Sequence, residues 1–592
     1  MRVSFSCSPA PLLTRFLRLL LPCSPALLFP LLTAGCGDPD VLPRHTITSA
    51  APQDSQRMLQ NIADNLQRLA DYGPPGAGEQ KDIMEQVVER LNDWSPQNKQ
   101  DVVWQRDDLI ASLPPELQKG VLERAAEKKY DPFDAFFLRE AVWLRDAAAT
   151  AAATAGAPGV PQYYPTNDDR QKAAAIFDWT VRNIQLDSDE KPAGSAAQPG
   201  RFALRPWEVL LMGHGTAMER TWLFMLLARQ QHLDVVLLAT PDPKSPNQFR
   251  VWAPAHLHQG QLYLYDMGLG VAVPGAKGHG IATLKEAAED ESILAQLDLE
   301  GAAYPVRSKD IQKVLALAEA DIPYLSQRFK LVEANLTGDR KIVLSTAPSQ
   351  LARRLQSSPH VQALRIWPWP IVSGAERMSA DDAAKKAFAR DWTILSMPLV
   401  KHTPKIVEEG RESEDEPKVV VRQRIIYPLW SARQRHFQGR YNAPDKRGAG
   451  VESDAAQESA KSLYLDAREA IEGVRGPNAA AVPDERRKWM EDMRDFATYW
   501  LGLVNYDQGE FAVANQYFEA ILKEGAKNRF YPGTLYNLAR TRLVEGKTAE
   551  AIQLFENPAV SMPQGCRLRA KWLKGKAGPD DPQTEAAAQG SS

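Results

Sequence analysis

The chain has 592 residues, too many for a single hydrophobic core, so three to five domains are expected. Apolar residues make up 44% and charged residues 24%, the ordinary balance of soluble globular protein. The formal net charge of -3 gives no reason to expect a nucleic-acid partner.

Residues 1–35 read as a targeting segment and are set apart from the fold. Arg2, Arg15 and Arg18 form a basic start, and Leu19 to Leu32 is apolar but broken by Pro22, Pro25 and Pro30, too short to span a bilayer as a stable helix. The segment ends in Leu32-Thr33-Ala34-Gly35-Cys36, which resembles the bacterial lipobox, whose cysteine becomes the acylated first residue of the mature protein. Acylated Cys36 would anchor the chain to a bilayer in the cell envelope, on the periplasmic or extracytoplasmic side. An ordinary secretory signal with a nearby cleavage site is the other reading. Cys7 and Cys23 fall in the signal, which leaves Cys566 without an intrachain partner; it is expected to be a packing cysteine.

Residues 36–53 are a polar, Pro-containing tether. Over 54–149, Met58, Ile62, Leu66 and Leu69, then Ile83, Val87, Val88 and Leu91, recur at helical spacing, which predicts a helical region. Ala148 to Pro165, rich in Ala, Gly, Thr and Pro, reads as a linker. Residues 166–300 predict a helix over Gln171–Ile184, a loop at Pro206-Trp207, and a helix opening at Gly215. Strands follow at Val235–Ala239, Gln248–Ala253 and Gln261–Tyr265, the last two joined by a Gln259-Gly260 turn. Helix followed by sheet is an α+β pattern.

Residues 305–440 form a second α+β segment. A helix is expected at Lys309–Ala320, strands at Phe329–Ala334 and Lys341–Ser345 around a Gly338-Asp339 turn, and a helix at Gln350–Leu355; Glu408–Lys418 is a charged loop. Residues 441–484 read as a polar linker with one helical piece, Gln457–Val474. Over 485–574, Gly509, Ala514 and Phe518 recur in order and spacing as Gly546, Ala551 and Phe555, and Leu501-Gly502 as Leu538-Ala539. The period is close to that of tetratricopeptide (TPR) repeats, which these hairpins resemble, and the resemblance implies a surface for a protein or peptide partner. Residues 575–592 read as a disordered tail.

The most telling stretch is Gly215-Thr216-Ala217, followed by an apolar helix ending in Leu226-Leu227-Ala228-Arg229 and a strand at Val235–Leu238. This order resembles the transglutaminase-like superfamily, of papain-like fold, over 166–300. The resemblance places the nucleophilic cysteine at Ala217, the histidine of His-x-Trp at Arg250 of Arg250-Val251-Trp252, and the aspartate at Asp266. Only the third member is present. Alanine has no electron pair to offer, and an arginine protonated at every physiological pH cannot shuttle a proton. The site is therefore expected to be a degenerate triad on a catalytically inactive, envelope-anchored binding or scaffold protein, requiring no cofactor and no metal. The alternative is an active hydrolase or acyltransferase using Thr216, with His214 as its base. Arg250 and Asp266 are expected either to pair as ions in place of His–Asp or to let Arg250 grip a carboxylate or peptide carbonyl. Trp207 and Trp252 are expected to wall that groove. His256 and His258 would share a strand face, as a metal pair or as surface residues at a hairpin tip, and His279 sits between two glycines.

Overall fold

The computed structural model describes residues 52–68, 73–74, 78–98, 103–187, 203–378, 380, 382–407, 418–443, 458–471 and 483–576. The expected signal segment, Cys36, most of the tether and nearly all of the tail lie outside these residues. The architecture is mixed α and β, with helices at both ends of the chain and a six-stranded sheet between them.

Four helices open the described chain: α1 (Pro52–Arg68), α2 (Gly78–Trp94), α3 (Pro115–Ala126) and α4 (Pro132–Ala153). Leu59, Ile62 and Leu66 of α1 and Val87 and Leu91 of α2 are buried in one apolar cluster with α4. Asp131 caps α4 through the backbone N–H groups of Phe133 and Asp134, and Pro132 takes the first turn, where its missing N–H costs nothing. The segment expected as a linker from Ala148 instead extends α4 to Ala153, with Ala147, Ala148 and Ala151 buried. Its alanines are contact residues that let helices approach closely. Beyond it, the Gln171 amide donates to the carbonyls of Ala155 and Pro161, which ties this stretch to the next helix.

That helix, α5 (Asp169–Asn183), leads through β1 (Gln185–Leu186) and α6 (Pro206–Met212) to β2 (His214–Gly215), parallel to β1, and then to α7 (Ala217–Gln230). Every residue of α7 from Glu219 to Ala228 is buried, polar Glu219, Arg220 and Thr221 included, so this helix lies inside the molecule. The sheet comprises β3 (Asp234–Asp242), β4 (Ser245–His258), β5 (Gln261–Asp266), β6 (Val271–Ala272), β7 (Val314–Ala318) and β8 (Val361–Ile366), in the order β6-β5-β4-β3-β7-β8. All neighbours run antiparallel except β7 and β8. The β4–β5 connection is the expected tight turn, with Gln259 and Gly260 both at positive φ. Opposite β3, β4 carries one extra residue at Trp252, skipped between the pairs Leu238–Ala253 and Ala239–Val251. One sheet face sets Val235, Leu237 and Tyr265 in the cluster that contains α7; the other buries Val236, Leu238, Leu264 and Ala316 in a second cluster.

Strands from 166–300 and 305–440 thus share one sheet, and two expected elements in the second segment change type. Lys309–Ala320, expected as a helix, contains a short turn at Ser308–Ile311 and then strand β7. Lying between two strands and covered on both faces, Val-Leu-Ala-Leu-Ala has no alternation to reveal it. Phe329–Ala334, expected as a strand, belongs to helix α8 (Gln327–Asn335), capped by the Ser326 hydroxyl and burying Phe329 and Val332 one turn apart. Lys341–Ser345 is irregular and joins no sheet. α9 (Pro348–Leu355) covers the expected Gln350–Leu355 helix. Then come α10 (Trp369–Met378), α11 (Asp382–Leu395) and a two-stranded hairpin of β9 (Leu399–Val407) with β10 (Lys418–Ile426).

The remainder is helical: α12 (Pro428–Phe437), α13 (Ala460–Glu469), α14 (Asp484–Asp507), α15 (Phe511–Glu524), α16 (Tyr531–Val544), α17 (Thr548–Phe555) and α18 (Pro563–Lys576). From α14 onward each helix packs on the next. The repeated residues occupy matching places: Gly509 and Gly546 turn the chain at positive φ, and Ala514, Ala551, Phe518 and Phe555 are fully buried. Gly502 lets the Phe518 ring lie where a methyl would meet it at 2.4 Å.

The inner faces of these helices are not open. Phe496–Tyr506 of α14 and Gly533–Thr541 of α16 are buried without interruption. Part of that cover is α5, joined to them by buried charges. Arg540 donates to Asp178 at 2.8 Å, Asp178 accepts from Arg182 at 2.8 Å, and Arg182 reaches Asp507 at 2.5 Å. His436 of α12 lies 3.7 Å beyond, on Asp507. Burial opposes every charge in this chain, but the guanidiniums still hold both carboxyls below their ordinary range.

Candidate functional site around Ala217

The N-terminus of α7 is built by its own first turn. The Thr216 hydroxyl accepts from the Glu219 N–H, while the Glu219 carboxylate accepts from the Thr216 N–H at 2.8 Å and from the Leu204 N–H at 2.8 Å. This is a reciprocal capping box, with Thr216 only 4% exposed. Ala217 is the first helical residue, where a cysteine would gain from the helix dipole. Its methyl faces Gly268. A Cβ built on that glycine would lie 3.9 Å from the Ala217 methyl and 3.4 Å from Asp266 Oδ1, so Ala217 and Asp266 flank the same loop.

Asp266 ends β5 and is held from both sides. Its Oδ1 accepts from the Leu269 N–H at 2.8 Å and its Oδ2 from the Tyr304 hydroxyl at 2.7 Å; Tyr304 in turn accepts from the Trp252 indole at 2.8 Å. Burial raises the Asp266 carboxyl above its usual range, and these donors together with Arg220 offset part of that rise. Arg250 forms no ion pair with Asp266, contrary to the expected replacement of His–Asp. It sits opposite Thr240 on β3. A neutral tyrosine hydroxyl takes the place of a counter-ion. Tyr304 was not legible in the sequence, since it lies in a loop with no periodicity to single it out.

Of the four residues expected to line a groove, Asp266 and Trp252 come together, Arg250 lies nearby, and Trp207 is elsewhere. Its ring packs on Trp143 and Trp392 and stands 5.2 Å from the buried Arg139 guanidinium. The loop after Asp266 is covered from outside by α18 and Met562 just before it. Arg220, fully buried, donates to the Met267 and Val181 carbonyls and touches Met562 Sδ. Arg569 donates to the Gly270 carbonyl at 2.6 Å, and a methyl on Gly565 would fall 1.7 Å from the Leu269 carbonyl oxygen. A cavity of about 360 Å³ lies elsewhere, lined by Gln67, Asp146, Thr150, Arg435 and Arg440.

Nor does a proton acceptor stand ready for Thr216. His214 lies between Asp187, 2.7 Å from Nδ1, and Asp391, 3.3 Å from Nε2; Arg529 forks onto Asp391. Burial alone would drive the imidazolium off, but the two carboxylates reverse this and raise its pKa to about 9. A histidine that keeps its proton that far cannot accept one at neutrality. Cys566 is fully buried beside the Ser561 carbonyl, its thiol pushed up to about 12 by burial. His279 is exposed. Among the described residues, no three or more His, Cys, Asp and Glu side chains are grouped to hold a metal, and no helix is long and apolar enough to cross a membrane. Comparison with family models, with curated proteins and with solved structures returns no match.

Proposed function

We propose that residues 166–300 are a catalytically silent transglutaminase-like domain within an envelope-anchored scaffold protein. Acylated Cys36 would attach it to the membrane, and the C-terminal helices would be TPR-like hairpins that serve a protein or peptide partner. The reading is carried by one observation: at the helix start where a nucleophile would stand, a methyl faces Gly268 beside a retained aspartate. Around it, the hydroxyl of Thr216 serves the helix and the imidazole of His214 is held as a cation. Loss of chemistry with retention of shape is what a binding role inherited from an enzyme framework leaves behind. With the inner faces of α14 and α16 buried, a partner is offered the outer helices, where Ala512 and Gln516 of α15 and Ala549, Glu550 and Gln553 of α17 are exposed.

Assay of the purified protein against amide and peptide substrates tests the silent site. No turnover is expected, and Thr216→Ala should change nothing. Turnover abolished by Thr216→Ala would establish the hydrolase or acyltransferase alternative instead. Fractionation of cells carrying Cys36→Ala tests the anchor: the protein is expected to leave the membrane fraction, and retention there would remove the lipoprotein reading.

A further inference from the structure

At the turn between β4 and β5, the opposite end of β5 from Asp266, β4 ends in His256-Leu257-His258, and the two histidines share a face of the strand. Their ring centres are 6.0 Å apart, and each ring lies 6.5 Å from Tyr263 on β5. His256 is 2% exposed, and its buried Nδ1 has no hydrogen-bond partner. A buried neutral imidazole carries one donor and one acceptor, and leaving either unmade is costly. His258, only half-buried, opens the pair to solvent. The start of α5 packs alongside with Asp168, Asp169 and Arg170. Arg170 is neutralised by its fork onto Asp168 at 2.6–3.2 Å and lies over the Tyr164 ring at 4.0 Å. The surroundings are thus two imidazoles, a neutralised ion pair and one further carboxylate, Asp169, bound to exposed Lys172.

We propose that His256 and His258 form a two-imidazole site for a late first-row divalent cation such as Zn²⁺ or Cu²⁺. Two imidazoles on one tetrahedral ion, with bonds of about 2.0–2.1 Å, hold their ring centres about 5 Å apart, so small rotations about the side-chain bonds close the pair. Imidazole suits these metals, and alternate positions on a strand supply two ligands without reordering the backbone. With no third protein ligand grouped there, the remaining positions belong to water or to a donor atom on an incoming ligand.

The test uses the full chain without an affinity tag, titrated with Zn²⁺ alone and, separately, with Cu²⁺ followed by electron paramagnetic resonance. One equivalent should bind saturably, with coupling to two imidazole nitrogens in the Cu²⁺ spectrum. His258→Gln, at a half-buried position, should weaken binding about tenfold or more, at least the loss seen when a partner behind a metal ligand is removed. His279→Gln should leave it unchanged. Absence of saturable binding, a single-nitrogen spectrum, or equal binding by wild type and His258→Gln would overturn the proposal.

Discussion

Thr216 shows how a side chain that invites a catalytic reading can serve the start of a helix. Its hydroxyl caps α7 and the Glu219 carboxylate answers from the third position. Thr216→Ala should lower stability by about 0.5–2 kcal/mol, the usual cost of removing such a cap, measured by denaturant unfolding. A larger loss would mean that Thr216 does more than cap. Tyr304 is the complementary case. Tyr304→Phe removes the hydroxyl that donates to Asp266 and accepts from Trp252, leaving one carboxylate oxygen and one indole N–H short of a partner. A cost of about 1–3 kcal/mol is expected, with the Asp266 carboxyl raised further and readable by NMR titration. If Tyr304→Phe is neutral, the carboxylate is held by the Leu269 backbone alone.

Among the elements, those whose burial follows a simple period were legible. The amphipathic helices, the β4–β5 hairpin and the glycine turns of the C-terminal repeat follow from Leu, Val, Gln-Gly and Gly-Ala-Phe spacings. What escaped was set by contacts distant in sequence. β7 is apolar throughout because strands flank it on both sides, and α8 starts at the Ser326 cap and buries Phe329 and Val332 one turn apart. Ala217 and Asp266 were visible as positions, but the partner of Asp266 was not, since Tyr304 arrives from a loop across the second apolar cluster. The repeat, by contrast, carries its packing in its spelling. Gly502→Ala should drive a methyl into the Phe518 ring and cost about 1–3 kcal/mol, as overpacked core sites do. Pairing it with Phe518→Leu should recover part of that loss. Additive losses in the double variant would show that ring contact is not the cause.

Across the whole molecule, buried charges join segments that sequence separates. Asp178 takes donors from Arg182 and Arg540 with all three side chains buried, so Asp178→Ala removes the only carboxylate paired with Arg540 among the described residues and leaves Arg182 to Asp507, and should cost about 3–5 kcal/mol in thermal or denaturant unfolding. A loss below 1 kcal/mol would mean that water replaces the carboxylate freely. Histidines at two depths set the pH response. His214, raised to about 9 against about 6.5 when unfolded, stabilises fully below pH 6.5, and its contribution is lost as pH rises through 9. His256 and His436, pushed down to about 4 by burial, act the other way and withdraw stability as pH falls from 6.5 towards 4. The histidines' combined contribution should therefore be greatest near pH 6.5, and His214→Gln should flatten the alkaline side of the melting-temperature profile alone. An unchanged alkaline slope in that variant would refute the assignment.

The packing of α14, α16 and α18 around α5 and the Asp266 loop sets an order of events during biosynthesis. A chain completed only as far as α13 holds every strand of the central sheet and α7 but lacks Asp507 and Arg540, the carboxylate and guanidinium that Arg182 and Asp178 await. Until the last helices follow, that half-built interior stays ajar, and a premature stop codon anywhere in them would leave the centre of the protein, not merely its edge, for proteases to find.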